Sequence, residues 1–143
     1  ELKDIRPNIL FGADLIAGFP TETENAHKNT LNAIKNLNLT FLHVFPYSQR
    51  TKTPASKMPQ VLNCIRKKRA KELRDYGDFQ LRKILKKSVN SIQEVLVEDN
   101  NGIGHSENFL TVKVLNAKNR KILKCKIIGI ENNILIGKAY GII

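Results

Sequence analysis

Three charged side chains stand where apolar runs give way to polar chain. Asp14 is the lone charge inside "FGADLIAGF", Glu22 follows in "GFPTETE", and Arg50 closes "FPYSQR". Carboxylates and a guanidinium at such places can bind a charged ligand, because α/β proteins bind ligands at the C-terminal ends of their strands. Asp14, if it shares a strand face with Ile16 and Gly18, turns inward and requires a partner, since an unpaired buried carboxylate costs several kcal/mol. That partner is either a structural arginine or a ligand. Glu22 has two readings as well. Gly18 permits an unusual backbone shape, Pro20 fixes one dihedral, and Thr21 with Glu24 fits the S/T-x-x-E capping pattern, so the heptapeptide reads as a capped turn. Alternatively, Glu22 is delivered to a ligand. The exit Phe45-Pro46-Tyr47-Ser48 offers backbone hydrogen-bonding groups beside an apolar wall, a combination common in ligand sites. Arg50 offers a planar fork for a carboxylate or phosphate, or else a surface salt bridge of little worth. His43 points to the same side as Phe41 and Phe45, where a hydrogen-bonded core histidine competes with a ligand.

The elements that position these residues follow from periodicity. "FGADLIAGF" reads as a short strand. Residues 22 to 37 read as a helix with Ala26, Thr30, Ile34 and Leu37 at helical spacing, His27 and Leu31 on its flank and Asn38 as its stop; "LTFLHVF" is a second strand. Strand, helix, strand at these lengths is a βαβ unit with parallel strands. One such unit cannot cover its own sheet, so residues 1 to 60 are expected to be the last portion of a larger α/β domain. Residues 59 to 87 read as a helix with Leu62, Ile65, Leu73, Tyr76 and Ile84 near one face, a stripe that Arg69 interrupts and that Gly77 kinks or splits. Beyond it, "SIQEVLVED", "NFLTVKVLN", "ILKCKIIGIE" and "ILIGKAYGI" are short alternating strands, with "NNGIGHSE", "AKNR" and "NN" as turns. Four or five such strands form a small closed barrel or sandwich of the oligonucleotide-binding type. The fold class is therefore α/β followed by all-β, with residues 1–87 and 88–143 as its two parts.

The formal net charge is +11 in 143 residues. Residues 61 to 87 hold ten Lys and Arg against three Asp and Glu, whereas the segments on either side are each in excess by two. Such a local excess suits a polyanion such as nucleic acid, with a solvated helix face as the alternative. An anionic membrane fits less well, for want of a broad apolar face. No run of about 18 apolar residues and no signal pattern occurs, so a cytoplasmic location is expected. The chain lacks an initiator methionine, as a piece of something longer would. Cys64 and Cys125 belong to no metal-binding spacing and read as two buried thiols.

"ADLIAGFPTET", "HVFPYSQRTKTPASKMPQV", "RKKRAKELR" and an "EVLVED" barrel ending in "LIGKAYG" together resemble the C-terminal portion of the radical SAM tRNA methylthiotransferases. The resemblance covers nearly the whole chain, and "HVFPYS" is most similar to the subgroup acting on threonylcarbamoyladenosine beside the anticodon. The isopentenyladenosine branch is the other option. It implies the last strands and helices of a TIM-like radical SAM barrel in residues 1–87, then a TRAM domain in residues 88–143. The implied cofactors are S-adenosylmethionine and iron-sulfur clusters, whose cysteine ligands lie in the missing N-terminal part of the polypeptide, so this chain alone is expected to be inactive. The implied partner is the tRNA anticodon stem-loop. The resemblance assigns Asp14, Gly18, Glu22, Phe45 and Tyr47 to the cofactor and Ser48 and Arg50 to the modified base. Arg66, Lys67, Lys68, Lys113, Lys124 and Lys126 are assigned to RNA. The family usually has Gly-Glu-Thr where this chain has Thr21-Glu22-Thr23, and Arg-x-Gly-Thr where it has Arg50-Thr51-Lys52-Thr53. Both departures lose a glycine and leave Glu22 and Arg50 in register. The competing reading is a noncatalytic RNA-binding module, and a third is a small α/β protein whose charge only keeps it soluble. If the basic residues meet RNA, log K for tRNA falls by roughly 0.7 to 0.9 per phosphate contact for each unit of log salt. A salt titration of tRNA binding checks this, and a shallow slope speaks for merely solvated charge.

Overall fold

The computed structural model describes residues 1–117 and 121–142. In chain order the elements are α1 (Leu2–Ile5), β1 (Phe11–Ala17), α2 (Glu24–Asn36), β2 (Leu39–Pro46), a short 3-10 turn (Pro54–Lys57), α3 (Asn63–Ser88), β3 (Ile92–Val97), β4 (Ile103–Ser106), β5 (Thr111–Leu115), β6 (Ile122–Glu131) and β7 (Ile134–Ile142). They form two compact units, one of residues 10–81 and the other of residues 1–9 with 82–143. No helix among the described residues is long and apolar enough to cross a membrane.

In the first unit β1 and β2 pair in parallel, with Asp14 opposite His43 and Ile16 opposite Phe45. Alternation sends Leu15, Ala17, Leu42 and Val44 to one face, where they pack with Ile34 and Leu31 of α2 and Ala70, Leu73 and Tyr76 of α3. The buried stripe of α2 is His27 and Ile34, with Leu31 half-buried between them. It is therefore rotated from the expected one, and Ala26 and Leu37 are exposed. Thr23 caps this helix by accepting a hydrogen bond from the Ala26 N–H at 3.1 Å. This corrects the expected Thr21–Glu24 box, because Thr21 lies outside the helix in a left-handed conformation with φ 68°. Asn38, at φ 51°, ends the segment in the left-handed stop that its position predicts. Gly77 does not split α3, which runs unbroken from Asn63 to Ser88. A Cβ there would lie 3.0 Å from Leu42 Cδ1, so the missing side chain serves close approach of helix and strand.

In the second unit five strands close into a barrel in the order β3-β4-β5-β7-β6. Alternation buries Val95, Val97, Val112, Val114, Leu123, Cys125, Ile127 and Leu135 inside it. β4 lies within "NNGIGHSE", the segment expected to be a turn. Its glycine explains both the misreading and the pairing: a Cβ on Gly104 would lie 2.0 Å from the Leu96 carbonyl oxygen, so only glycine lets the strands meet there. The expected turn at residues 117–120 falls largely outside the described residues.

Cys125 is buried as expected, whereas Cys64 is exposed on α3. Burial pushes the Cys125 thiol above its ordinary value. A folded value above the unfolded one means that this contribution to stability is complete below the ordinary thiol range and is lost as pH rises through the folded value. In the native protein a thiol reagent should therefore label Cys64 promptly and leave Cys125 untouched until denaturant opens the barrel. Prompt labelling of both thiols by mass spectrometry would contradict this core.

Candidate functional site

Two loops leave the C-terminal ends of β1 and β2, and both are tied to α3 by arginines. Arg69 is the anchor of the first. Its Nη1 donates to Glu22 Oε2 at 2.9 Å and to the Glu22 carbonyl at 2.8 Å, while Nη2 reaches Glu24 Oε2 at 3.3 Å. Glu22 Oε2 also accepts the Gly18 N–H at 2.7 Å, so one carboxylate oxygen joins the strand end to the helix. The side chains of Arg69 and Glu22 are only 8% and 13% exposed, which makes this a largely desolvated pair held by hydrogen bonds on both partners. Arg69 thus breaks the apolar stripe of α3 for a reason that lies in the distant loop.

Arg66, three residues earlier on α3, holds the second loop. Its Nε donates to the Val61 carbonyl at 2.7 Å, Nη1 to the Tyr47 carbonyl at 3.3 Å and Nη2 to Gln60 Oε1 at 3.0 Å. Its guanidinium stands 5.3 Å from the centroid of the Tyr47 ring, which meets Phe19 edge-on at 5.4 Å. Arg66, expected to face RNA, makes these three hydrogen bonds within its own unit. The Tyr47 N–H donates to the Ala17 carbonyl at 2.8 Å, joining the two loops directly. Gly18 is required here, at φ +71°, because a Cβ would approach Arg66 Cγ to 2.6 Å.

The sheet face opposite the helices carries Asp14, Ile16, His43 and Phe45, all exposed. Ile16 and Phe45 are 60% and 57% exposed, high values for large apolar side chains in a parallel sheet. Asp14 and His43 share the expected face, yet no ion-pair partner of Asp14 occurs among the described residues. Asp14 is exposed in this chain, so its carboxylate needs no protein partner here. Ser48 and Arg50 are exposed beyond the same strand end, and Lys67 and Lys68 are exposed on α3. Lys113, Lys124 and Lys126 point outward from the barrel.

Sequence reasoning missed His27 with Glu72: the buried His27 ring places Nε2 2.8 Å from Glu72 Oε2, joining α2 to α3. A histidine at helical spacing with Ile34 was the available signal, but its partner is 45 residues away. Among the described residues no three His, Cys, Asp or Glu side chains converge as a metal site.

No family model matches the chain. Curated proteins do. The threonylcarbamoyladenosine tRNA methylthiotransferase MtaB of Rickettsia prowazekii is 48% identical over 132 residues, which cover 92% of this chain and 31% of that protein. The MtaB of Bacillus subtilis is 32% identical over 139 residues, 90% of this chain and 31% of its own length. The tRNA-2-methylthio-N(6)-dimethylallyladenosine synthase of Psychromonas ingrahamii is 38% identical over 99 residues, 68% of this chain and 21% of that protein. Over the stretch it spans, the chain belongs to the radical SAM tRNA methylthiotransferase family. It spans about a third of the length of the MtaB relatives, 31% in each case.

The two positions at which the resemblance led to an expectation of glycine, Thr21 and Lys52, both adopt φ 68°. The loop shape that glycine favours is thus kept by residues that resist it, at about 1–2 kcal/mol each. Thr21→Gly should raise the stability of this unit by about 1 kcal/mol. Arg69→Ala should lower it by about 3–5 kcal/mol, because Glu22 then remains buried without its counter-charge. Hydrogen exchange across β1 and α2 reads both, and unchanged protection in Arg69→Ala would refute the anchor.

Proposed function

We propose that this chain is the C-terminal portion of a tRNA methylthiotransferase that adds a methylthio group to a modified adenosine beside the anticodon, with threonylcarbamoyladenosine as its substrate base. The observation that carries the reading is the parallel pair β1–β2, covered by helices on one face and open on the other at Asp14, Ile16, His43 and Phe45. Parallel sheets are normally covered on both faces, or close into barrels with the inner face filled. Preceding strands of a TIM-like radical SAM barrel would close over this face and make it the interior. In this reading residues 1–87 are the end of that barrel with its connecting helix, and residues 88–143 are a TRAM-like barrel that meets RNA.

The donor set excludes one cofactor from this stretch: Cys64 and Cys125 are isolated thiols, and they do not fit an iron-sulfur cluster. The clusters would be held by cysteines upstream, and the chain by itself would not turn over. S-adenosylmethionine fits the open face better, since a carboxylate (Asp14) suits its positive charge and an exposed ring (Phe45) its adenine. That group would supply the radical and the methyl. Gly18 and the Tyr47 backbone would shape its surroundings. Glu22 would act through Gly18 and Arg69 by positioning the loop, and Ser48 with Arg50 would bind the carboxylate of the modified base.

The noncatalytic module remains the second reading, and the polypeptide containing this chain separates them. In that polypeptide Arg50→Lys should lower methylthiolation about tenfold or more, as loss of a charge-assisted hydrogen bond requires. Affinity for tRNA should stay nearly unchanged. Mass spectrometry of tRNA nucleosides measures the first and a binding titration the second; wild-type turnover by the variant would remove Arg50 from the site.

A further inference from the structure

The wet face of the barrel is not uniformly polar. A groove of about 520 Å³ runs over β3, β6 and β7, lined by Asn90, Ile92, Lys126, Ile128, Lys138 and Tyr140 with Ala139 at its base. Tyr140 and Ile92 are each 59% exposed, and Ile128 is 48% exposed. In register Ile92 stands opposite Lys126, and Lys126 stands opposite Lys138 on the next strand. Like charges directly opposite across a sheet repel each other. Neither lysine has an ion-pair partner among the described residues. A flat aromatic ring, two apolar walls and two unneutralised ammonium groups together match one chemistry: an unstacked nucleotide, with its base on the ring and its phosphate between the lysines. The exposed Asn90 amide, which also lines the groove, can donate and accept at a base edge.

We infer that this groove binds a single splayed nucleotide of looped RNA, stacked on Tyr140 and held at its phosphate by Lys126 and Lys138. The site lies on the first, fourth and fifth barrel strands. The strands 2–3 face that oligonucleotide-binding barrels commonly use is here β4 and β5, which carry Ile103, His105, Thr111 and Lys113 outward. Stacking thus has a larger part than the small number of barrel aromatics suggests. The inference rests on the reading that the barrel meets RNA.

The test uses the full chain and an RNA hairpin whose loop carries one 2-aminopurine, with a fully paired duplex of the same length for comparison. The wild type should bind the hairpin more tightly and quench the loop fluorophore. Tyr140→Ala should weaken hairpin binding about tenfold and abolish the quench, while Tyr140→Phe keeps both. Lys126→Gln and Lys138→Gln should each reduce the slope of log K against log salt by about 0.7. Unreactive Cys125 in every variant certifies an intact barrel. If the wild type binds neither RNA, the inference falls together with the functional reading beneath it. If it binds RNA while Tyr140→Ala binds and quenches equally well, the groove alone is refuted. Self-association of the wild type that Tyr140→Ala abolishes, without any effect on RNA affinity, assigns the face to a second copy and also refutes it.

Discussion

The buried guanidinium of Arg69 is the constraint on which the first unit depends. A charge in a desolvated place persists only with compensation, and Arg69 receives it at its two terminal nitrogens from the Glu22 carboxylate, the Glu22 carbonyl and Glu24, while its Nε is buried without a hydrogen-bond partner among the described residues. Because Glu22 Oε2 is shared with the Gly18 N–H, the same pair fixes the end of β1, the entry to α2 and the face that α3 presents. Arg66 repeats the device on the second loop, reaching the Tyr47 carbonyl while its stem lies against Gly18. The two loops that would flank a ligand are therefore held from α3, outside the open sheet face. Glu22 is best understood as part of that support.

The same loops carry backbone strain. Thr21 and Lys52 take left-handed conformations that a β-branched or long side chain disfavours, and the hydrogen bonds around them keep the shape. The Thr21 N–H donates to the Pro59 carbonyl, and Thr53 caps the turn that follows Lys52. A left-handed geometry that glycine adopts most readily is thus held here by Thr21 and Lys52, next to Glu22 and two residues beyond Arg50.

In the barrel, burial and exposure obey one alternation but yield unlike surfaces. Val112, Val114, Cys125 and Ile127 face inward, while Lys124, Lys126 and Ile128 of β6 face outward. The outer face of β3, β6 and β7 mixes lysines with Ile92, Ile128 and Tyr140, which solvation alone does not explain. Apolar area beside unpaired positive charge is the composition of a surface that meets a ligand having both a flat apolar part and an anionic one.

Much of this was legible in the sequence. Period-two alternation marked four barrel strands, strand-helix-strand spacing marked the parallel pair, and quoted motifs marked the family. These signals are local, since backbone geometry alone sets which side of a strand or helix each residue occupies. Other features became visible only in three dimensions. In "RKKRAKELR" only its place on the apolar stripe sets Arg69 apart from its solvated neighbours Lys67 and Lys68, and the carboxylate it is buried against lies 47 residues away. β4 hid in a glycine-rich turn pattern, the helix stripe of α2 moved by one position, and Asp14 proved solvated where a covered sheet would have paired it. Lys126 and Lys138 became a charged pair only through strand register. The sequence by itself determined the elements and their chemical character, because those depend on neighbours along the chain. Tertiary structure decided which charges are buried, which loops are clamped and which residues share a groove, because each depends on faces brought together from distant segments.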